Sequence, residues 1–483
     1  MTSEPNSAPV VAALPPLYPE WLGDRIFTAK HGARFPYVVG EMARGLTTVR
    51  MVVEAVRAGC LAFYGSAGQS LAVVEQSILQ IQSALDDHPH AWGCNLIHSP
   101  QEPQMEEQFV DLFLRYNVMR LSASAFMQLT PDVVRFAAKG MQRDASGAVR
   151  RARYLFPKIS RPEVAKQFMS PPPEAMLRAL QQAGQLTAEE CDCAAQLPVA
   201  ESITVEADSG GHTDNRTLTS LFPAVAALRD ALAVEHGYAA PIHLGAAGGI
   251  GSPGAVAAAF ALGAAYVMTG SINQSAVESG LSEAGRAMLA KADVADMAMA
   301  PASDMFEMGG QVQVLKRGAL FPQRARQLYS LYQRYEGLDA IPAAERESLE
   351  KNLFRAPLEE IWGQTRDYFL TRNPQIAKSG EESPKVRMAL VFRWYLSMSS
   401  RWAIEGIADR QADYQIWCGP VMGTFNRWVS GSVLEPLENR TVSQIAWNLL
   451  EGAAVISRAQ QLRSMGVQVP DAAFNYRPRI LQV

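Results

Sequence analysis

The sequence predicts an α/β fold, a (β/α)8 TIM barrel with a helical insertion and a mainly helical C-terminal domain. Three observations point there. Eight short apolar runs alternate with helical patterns between residues 37 and 269. Parallel pairing needs such crossovers, and eight units in about 240 residues suit a closed barrel better than an open sheet. The later runs end in glycine-rich turns or carry a titratable group, as expected where βα loops gather on one face. After about Asn273 the strand signals fade, and six of the eight tryptophans lie beyond residue 360.

Residues 1–30 read as a flexible lead-in, since Met1 to Pro19 is rich in Pro, Ala and Ser. The barrel is expected over 31–275. Its strands are Tyr37–Val39, Cys60–Tyr64, Ala91–Asn95, Val118–Ser122, Tyr154–Ile159, Ser202–Ala207, Pro241–Leu244 and Tyr266–Thr269, with a helix over Thr47–Ala58 after the first. The interval 161–200 is too long for a plain crossover. It holds Pro171-Pro172-Pro173 and the capping-box pattern Thr187-Ala188-Glu189-Glu190, and reads as a helical insertion. Residues 276–483 form the helical part: Leu328, Leu331, Tyr332 and Tyr335, and likewise Met388, Val391, Phe392 and Tyr395, recur at i, i+3, i+4, i+7. Thr441-Val442-Ser443-Gln444 opens another long helix, to about Met465.

Within the barrel the informative stretch is Glu206-Ala207-Asp208-Ser209-Gly210-Gly211-His212, at the end of the sixth strand. Two glycines there allow close approach of a flat ligand before the chain reaches a histidine. Gly249-Ile250-Gly251-Ser252-Pro253-Gly254 matches a dinucleotide fingerprint. That motif, however, requires an acid at the end of the next strand, which here runs Met268-Thr269-Gly270-Ser271-Ile272-Asn273. Consecutive glycine turns after strands seven and eight fit instead a single phosphate held by backbone N–H groups, as in FMN or a sugar phosphate. The plainer reading is glycines needed only for tight turns.

Pro36 to Gly68, Asn95-Leu96, Lys158-Ile159-Ser160, Glu206 to His212, Gly248 to Gly251 and Thr269-Gly270-Ser271 together resemble the FMN-dependent barrel family of nitronate monooxygenases and FabK-type enoyl reductases. Met299 to Glu307, Gln313 to Gly318 and Ala412 to Pro420 resemble its PfaD-type branch, the trans-acting enoyl reductases of polyunsaturated fatty acid synthases and trans-acyltransferase polyketide synthases. The resemblance covers roughly residues 20 to 470 and implies FMN across the barrel mouth, reduced by NADPH or NADH. It places the phosphate on Gly248, Gly249, Gly251, Gly270 and Ser271. Met42 and Ala43 would border the ring, with Asn95 and Lys158 as polar contacts and Ser209, Gly210 and Gly211 as further cofactor-binding residues. A cation at Lys158 suits an anionic reduced flavin, the alternative being a solvated lysine. Asn95 could equally cap the following helix. His212 is the implied proton donor, its unperturbed pKa of about 6.5 making both states accessible; the alternative is a structural histidine. Asp208 and Asp214 flank it and are candidates to orient its ring. His243, inside a strand, reads as a satisfied core histidine.

Composition limits the rest. A net charge of -4 argues against a nucleic-acid partner. Five scattered cysteines suggest neither a disulfide framework nor, with no histidine near Cys191 and Cys193, a metal site. The longest apolar run, Ala255 to Met268, is too short for a membrane span of about 20 residues, and no signal-peptide pattern is present, so a cytoplasmic protein is expected. Met308 to Tyr335 lacks any acidic residue, which makes Lys316, Arg317, Arg324 and Arg326 a candidate docking surface for an acyl carrier protein of a synthase. The bland reading is a solvated helix face. Competing functions are nitronate oxidation on the same flavin and a non-catalytic megasynthase component. Chain length of the substrate, NADPH against NADH, stereochemistry and oligomeric state, a homo-oligomer included, are not legible.

Overall fold

The computed structural model describes residues 14–88, 90–98 and 102–482. Eight parallel strands close into a barrel: β1 Tyr37–Val39, β2 Leu61–Tyr64, β3 Trp92–Ile97, β4 Arg120–Ser124, β5 Tyr154–Ile159, β6 Ser202–Glu206, β7 His243–Ala247 and β8 Tyr266–Thr269. Every expected run is a strand, and β8 closes the ring on β1 through Val39 opposite Thr269. The strands are almost entirely buried, as both faces of a barrel strand must be. The apolar run from Ala255 divides into a helix, Pro253–Ala261, and β8. Helices Pro162–Met169, Glu174–Gln182 and Ala188–Ala194 fill the interval after β5, the last opened by a complete capping box of Thr187 and Glu190.

Two differences from the sequence reading matter. The first thirteen residues of the expected lead-in lie outside the described residues, but its remainder is ordered structure. Asp24 caps helix α1 (Arg25–His31) by accepting from Ile26 N at 2.7 Å, and Gly32 ends it in the left-handed region. Phe27 of α1 stacks on Tyr266 with ring centroids 4.3 Å apart and plugs the floor of the barrel. Second, strands do continue past residue 273. β9 (Met297–Pro301) and β10 (Gln311–Leu315) form an antiparallel hairpin. A further two-residue ladder joins Gln142–Arg143 to Val149–Arg150.

The remaining chain is helical, including α2 (Phe321–Arg334), α3 (Leu358–Arg372), α4 (Pro384–Glu405), α5 (Val421–Val429) and α6 (Val442–Ser464). Met388, Val391, Phe392 and Tyr395 of α4 are all fully buried, which is what their helical spacing requires. Long α6 packs against the barrel helix Pro253–Ala261, and Gly452 is needed there because a Cβ would come within 2.6 Å of Pro253.

Candidate active site at the barrel mouth

Polar side chains from five strands or strand ends meet at the C-terminal end of the barrel. Lys158 on β5 lies 3.0 Å from Glu41 Oε1, just after β1, and 3.3 Å from Glu206 Oε1 at the end of β6. Burial alone would lower the Lys158 pKa, but the two carboxylates outweigh it and hold the ammonium above its ordinary value. It is therefore a fixed cation, not a solvated lysine. Asn95 extends the network: its Nδ2 donates to Ser124 Oγ at 2.6 Å, to Ser122 O at 3.1 Å and to Glu41 Oε1 at 3.4 Å. The side chain is buried within β3 and caps no helix. Glu41 was not singled out from sequence, yet it joins the two groups, and its Oε2 is buried without a hydrogen-bond partner.

His212 follows Gly211, which lies at φ +81° and exchanges backbone hydrogen bonds of 3.0 and 2.7 Å with Gln313 on β10. The hairpin thus pins the loop after β6. Its connecting turn also brings Asp304 to the histidine, with Oδ2 3.0 Å from His212 Nε2. Desolvation pulls the imidazole pKa down, but the Asp304 hydrogen bond and charge raise it above its ordinary value. The pair is partly exposed, 37% for His212 and 59% for Asp304, so water screens it. The flanking acids are engaged elsewhere. Asp208 accepts from Gln313 Nε2 at 2.7 Å and Asn215 Nδ2 at 2.8 Å. Asp214 accepts from Arg161 Nε and Nη2, both at 2.9 Å, and from Ser160 Oγ at 2.6 Å. Orientation of His212 comes from Asp304.

The expected glycine cradle separates into two groups. Gly210 and Gly251 are required by the chain itself: a Cβ on Gly210 would fall 2.5 Å from Cys418 Cα, and one on Gly251 would fall 2.6 Å from Val421 Cγ2. Ser271 Oγ also accepts from Gly419 N at 3.4 Å. These contacts seat the segment 418–425 over the turns. Gly248, at φ +82°, is needed both for its left-handed backbone and for approach to Ala207. Gly249, at φ +71°, faces open space, and above Gly270 only Met42 Cγ, at 3.9 Å, lies within contact range. Among the described residues no acceptor holds the backbone N–H of Gly249, Gly270 or Ser271. Open glycine positions with free N–H groups, at the same barrel mouth as a buried, charged lysine, fit a flavin phosphate and ring. The Ser209 hydroxyl next to them is buried without a partner.

Of the candidate docking cations, Lys316, Arg317 and Arg326 are exposed, Arg317 pairing with Asp296 at 3.0 Å. Arg324 is not available for docking. Its guanidinium binds Asp413, a fully buried carboxylate that also accepts from Tyr395 OH at 2.6 Å and Arg410 Nη1 at 3.2 Å.

Residues 25–316 match the family model described as nitronate monooxygenase, more than half of the chain. The chain belongs to that family. Residues 335–414 match a second model, the inserted helical domain of [acyl-carrier-protein] S-malonyltransferase. The enoyl reductase domain of MlnA from Bacillus amyloliquefaciens is 35% identical, with a TM-score of 0.88 over 92% of this chain and 99% of that one. A polyunsaturated fatty acid synthase polypeptide of a Thraustochytrium species is 43% identical over 95% of this chain, and the polyketide biosynthesis protein PksE of Bacillus subtilis is 44% identical over 92%. The chain spans 31% and 58% of those two relatives. These matches place this oxidoreductase in the PfaD-type branch. FabK from Thermotoga maritima, 18% identical at a TM-score of 0.53, shares the fold. No helix among the described residues is long and apolar enough to cross a membrane.

Proposed function

We propose that the chain is an FMN-dependent, NAD(P)H-consuming enoyl reductase that acts in trans on 2-enoyl thioesters borne by an acyl carrier protein of a polyketide or fatty acid synthase. The observation that carries the reading is the His212–Asp304 pair beside open glycine turns and the Glu41–Lys158–Glu206 cluster. The N–H groups of Gly249, Gly270 and Ser271 would hold the FMN phosphate, Met42 would border the ring, and Lys158 would face its electron-rich edge. When bound and reduced by NAD(P)H, FMN supplies the hydride that reaches the β-carbon of the thioester.

The chain's own residues supply the rest. His212, whose protonated form is favoured by Asp304, donates its proton to the α-carbon; the C=C bond becomes a C–C bond and the imidazole regains its proton from solvent. Asp304 holds the ring in place through Nε2, and the hairpin holds the loop through Gln313. The matched helical segment and the exposed cations Lys316, Arg317 and Arg326 support a carrier-protein partner, whose acidic surface they would attract.

Nitronate oxidation is the competing reading, favoured by the family model itself. It needs His212 as a base, whereas the pairing with Asp304 favours the protonated form. An anaerobic visible spectrum separates the readings. The flavin band should bleach with NADPH and return with a 2-enoyl thioester. Bleaching that reverses only with oxygen and is coupled to nitronate turnover would favour oxidation. No flavin band after adding FMN would exclude both and leave a non-catalytic component.

A further inference from the structure

Arg44 lies in the turn after β1, two residues beyond Met42, at φ +60°. A left-handed backbone is uncommon for a residue with a side chain of this length and needs support from its surroundings. That support is present: Arg44 N donates to Ala67 O at 2.7 Å, and Gly45 N to Gly65 O at 2.9 Å. The strained turn sends the guanidinium across to the helical part of the molecule. Nη1 donates to Ser397 O at 3.0 Å and Ser400 Oγ at 2.7 Å, both on α4, and the group lies 5.9 Å from the Trp417 ring centroid.

Two features of this half-buried cation are unexplained by packing. No carboxylate among the described residues pairs with it, and its Nε and Nη2 make no hydrogen bond within the described chain. Burial pulls its pKa below the ordinary arginine value, although the charge of Asp304, which makes no direct contact, acts the other way. The contacts continue from Ser397 to a pair of hydroxyls. Ser397 Oγ lies 2.8 Å from Ser303 Oγ, and Ser303 immediately precedes Asp304, the partner of His212. A path of direct contacts therefore runs from Arg44 through Ser397 and Ser303 to the proposed proton donor. A guanidinium with a free edge and no carboxylate in contact with it, joined through Ser397 to the Ser303–Ser397 hydroxyl pair, is a donor set for a phosphate oxygen.

We propose that Arg44, with the hydroxyls of Ser303 and Ser397, is a phosphate-binding subsite that anchors an incoming substrate beside His212. The proposal rests on the enoyl-reductase reading for the identity of that substrate. Two sources share the chemistry: the phosphate of a 4′-phosphopantetheine arm and the phosphates of NAD(P)H. A purely structural Arg44, tying the turn to α4, is the opposing account.

The test is calorimetric titration of the purified full chain with three probes: 4′-phosphopantetheine, pantetheine lacking the phosphate, and 2′-phospho-ADP-ribose. In the wild type at least one phosphate probe should bind. Arg44→Met should weaken that probe about ten- to a hundredfold, the range for a hydrogen bond to a charged group. Arg44→Lys should recover part of the loss. Loss of 4′-phosphopantetheine binding assigns the subsite to the carrier arm, and loss of 2′-phospho-ADP-ribose binding assigns it to the dinucleotide. Unchanged affinities in an Arg44→Met protein that melts like the wild type would make Arg44 a strut and overturn the proposal, as would failure of both phosphate probes to bind wild type. No turnover is read, so failure of the enoyl-reductase assay remains a separate result.

Discussion

At the floor of the barrel His31, Arg120 and His243 sit among Phe27, Phe63, Phe156 and Tyr266, whereas at the mouth His212 and Lys158 sit among carboxylates. Arg120 is 1% exposed, donates to His31 Nδ1 at 3.0 Å and to Lys30 O at 3.3 Å, and leaves Nη1 without a partner. Burial lowers its pKa to about 10 and pushes both floor histidines below their ordinary value. At the mouth the acids reverse the sign, and both cations are held above theirs. Desolvation acts at both ends, but at the mouth a carboxylate lies within 3.3 Å of both His212 and Lys158, whereas at the floor Asp24 stands 3.8 Å from His243. Close carboxylates outweigh desolvation at the mouth, while among the aromatic side chains of the floor desolvation prevails.

The strongest way to break this comparison is to remove the donor. His212→Ala should lower kcat for enoyl thioester reduction by about a hundredfold or more, the usual share of a general acid, while flavin content stays that of the wild type. A variant with undiminished kcat would return His212 to a structural role. Next in size is Lys158→Met, which leaves Glu41 and Glu206 facing each other without their cation. Breaking a buried pair costs about 3 kcal/mol, so denaturant titration should show a clear loss of stability together with poorer FMN retention. Arg120→Leu at the floor, which abandons no carboxylate, should cost less. The reverse order would mean that the mouth cluster is not the stabilised one.

Asp304→Asn tests the link between the hairpin and the barrel. His212 would lose the charge that raises its pKa, so the protonated form would disappear at lower pH than in the wild type. The basic limb of the kcat profile should therefore move down, with kcat at and above neutral pH falling more than kcat on the acidic side. An unmoved limb would show that the acid seen in the profile is not His212.

What could be read from the chain divides along the same lines. The strands and their glycine ends are local patterns, and all eight strands overlap the expected runs, although β4 and β7 begin two residues later than expected. Partnerships between distant residues have no such signature. Asp304 stands 92 residues from His212 and was visible only inside a branch motif, while the acids nearest in sequence, Asp208 and Asp214, were the wrong ones. Glu41 lay unremarked beside Met42, although a lone buried acid at a strand end is a signal that could have raised it. Gly210 and Gly251 look in sequence like Gly249, since nothing local separates a glycine facing open space from one facing Cys418 or Val421. The missed hairpin is a nearer failure. Gln311-Val312-Gln313-Val314-Leu315 has the alternation of a half-buried strand, masked by the alanine- and methionine-rich partner Met297–Pro301, whose residues favour helices.

The smallest expected effect lies at the floor and concerns acid. His243 was expected to be a satisfied core histidine, but both of its ring nitrogens are buried without hydrogen bonds, and the nearest carboxylate, Asp24, stands 3.8 Å away. Burial depresses its pKa, with Lys30 opposing protonation and Asp24 and Glu201 only partly favouring it. A depressed histidine contributes its full stability above the unfolded pKa of about 6.5 and loses it as pH falls through the folded value, because the unfolded chain then binds protons that the native one refuses. His31 acts in the same direction. The melting temperature should therefore drop between pH 7.5 and 5.5. His243→Leu should be close to neutral at pH 7.5, since it removes two unpaired polar atoms, and should lessen the acid drop without abolishing it, because His31 remains. If the drop is the same in variant and wild type, His243 is not the group that senses acid, and desolvation at the floor acts through His31 and Arg120 alone.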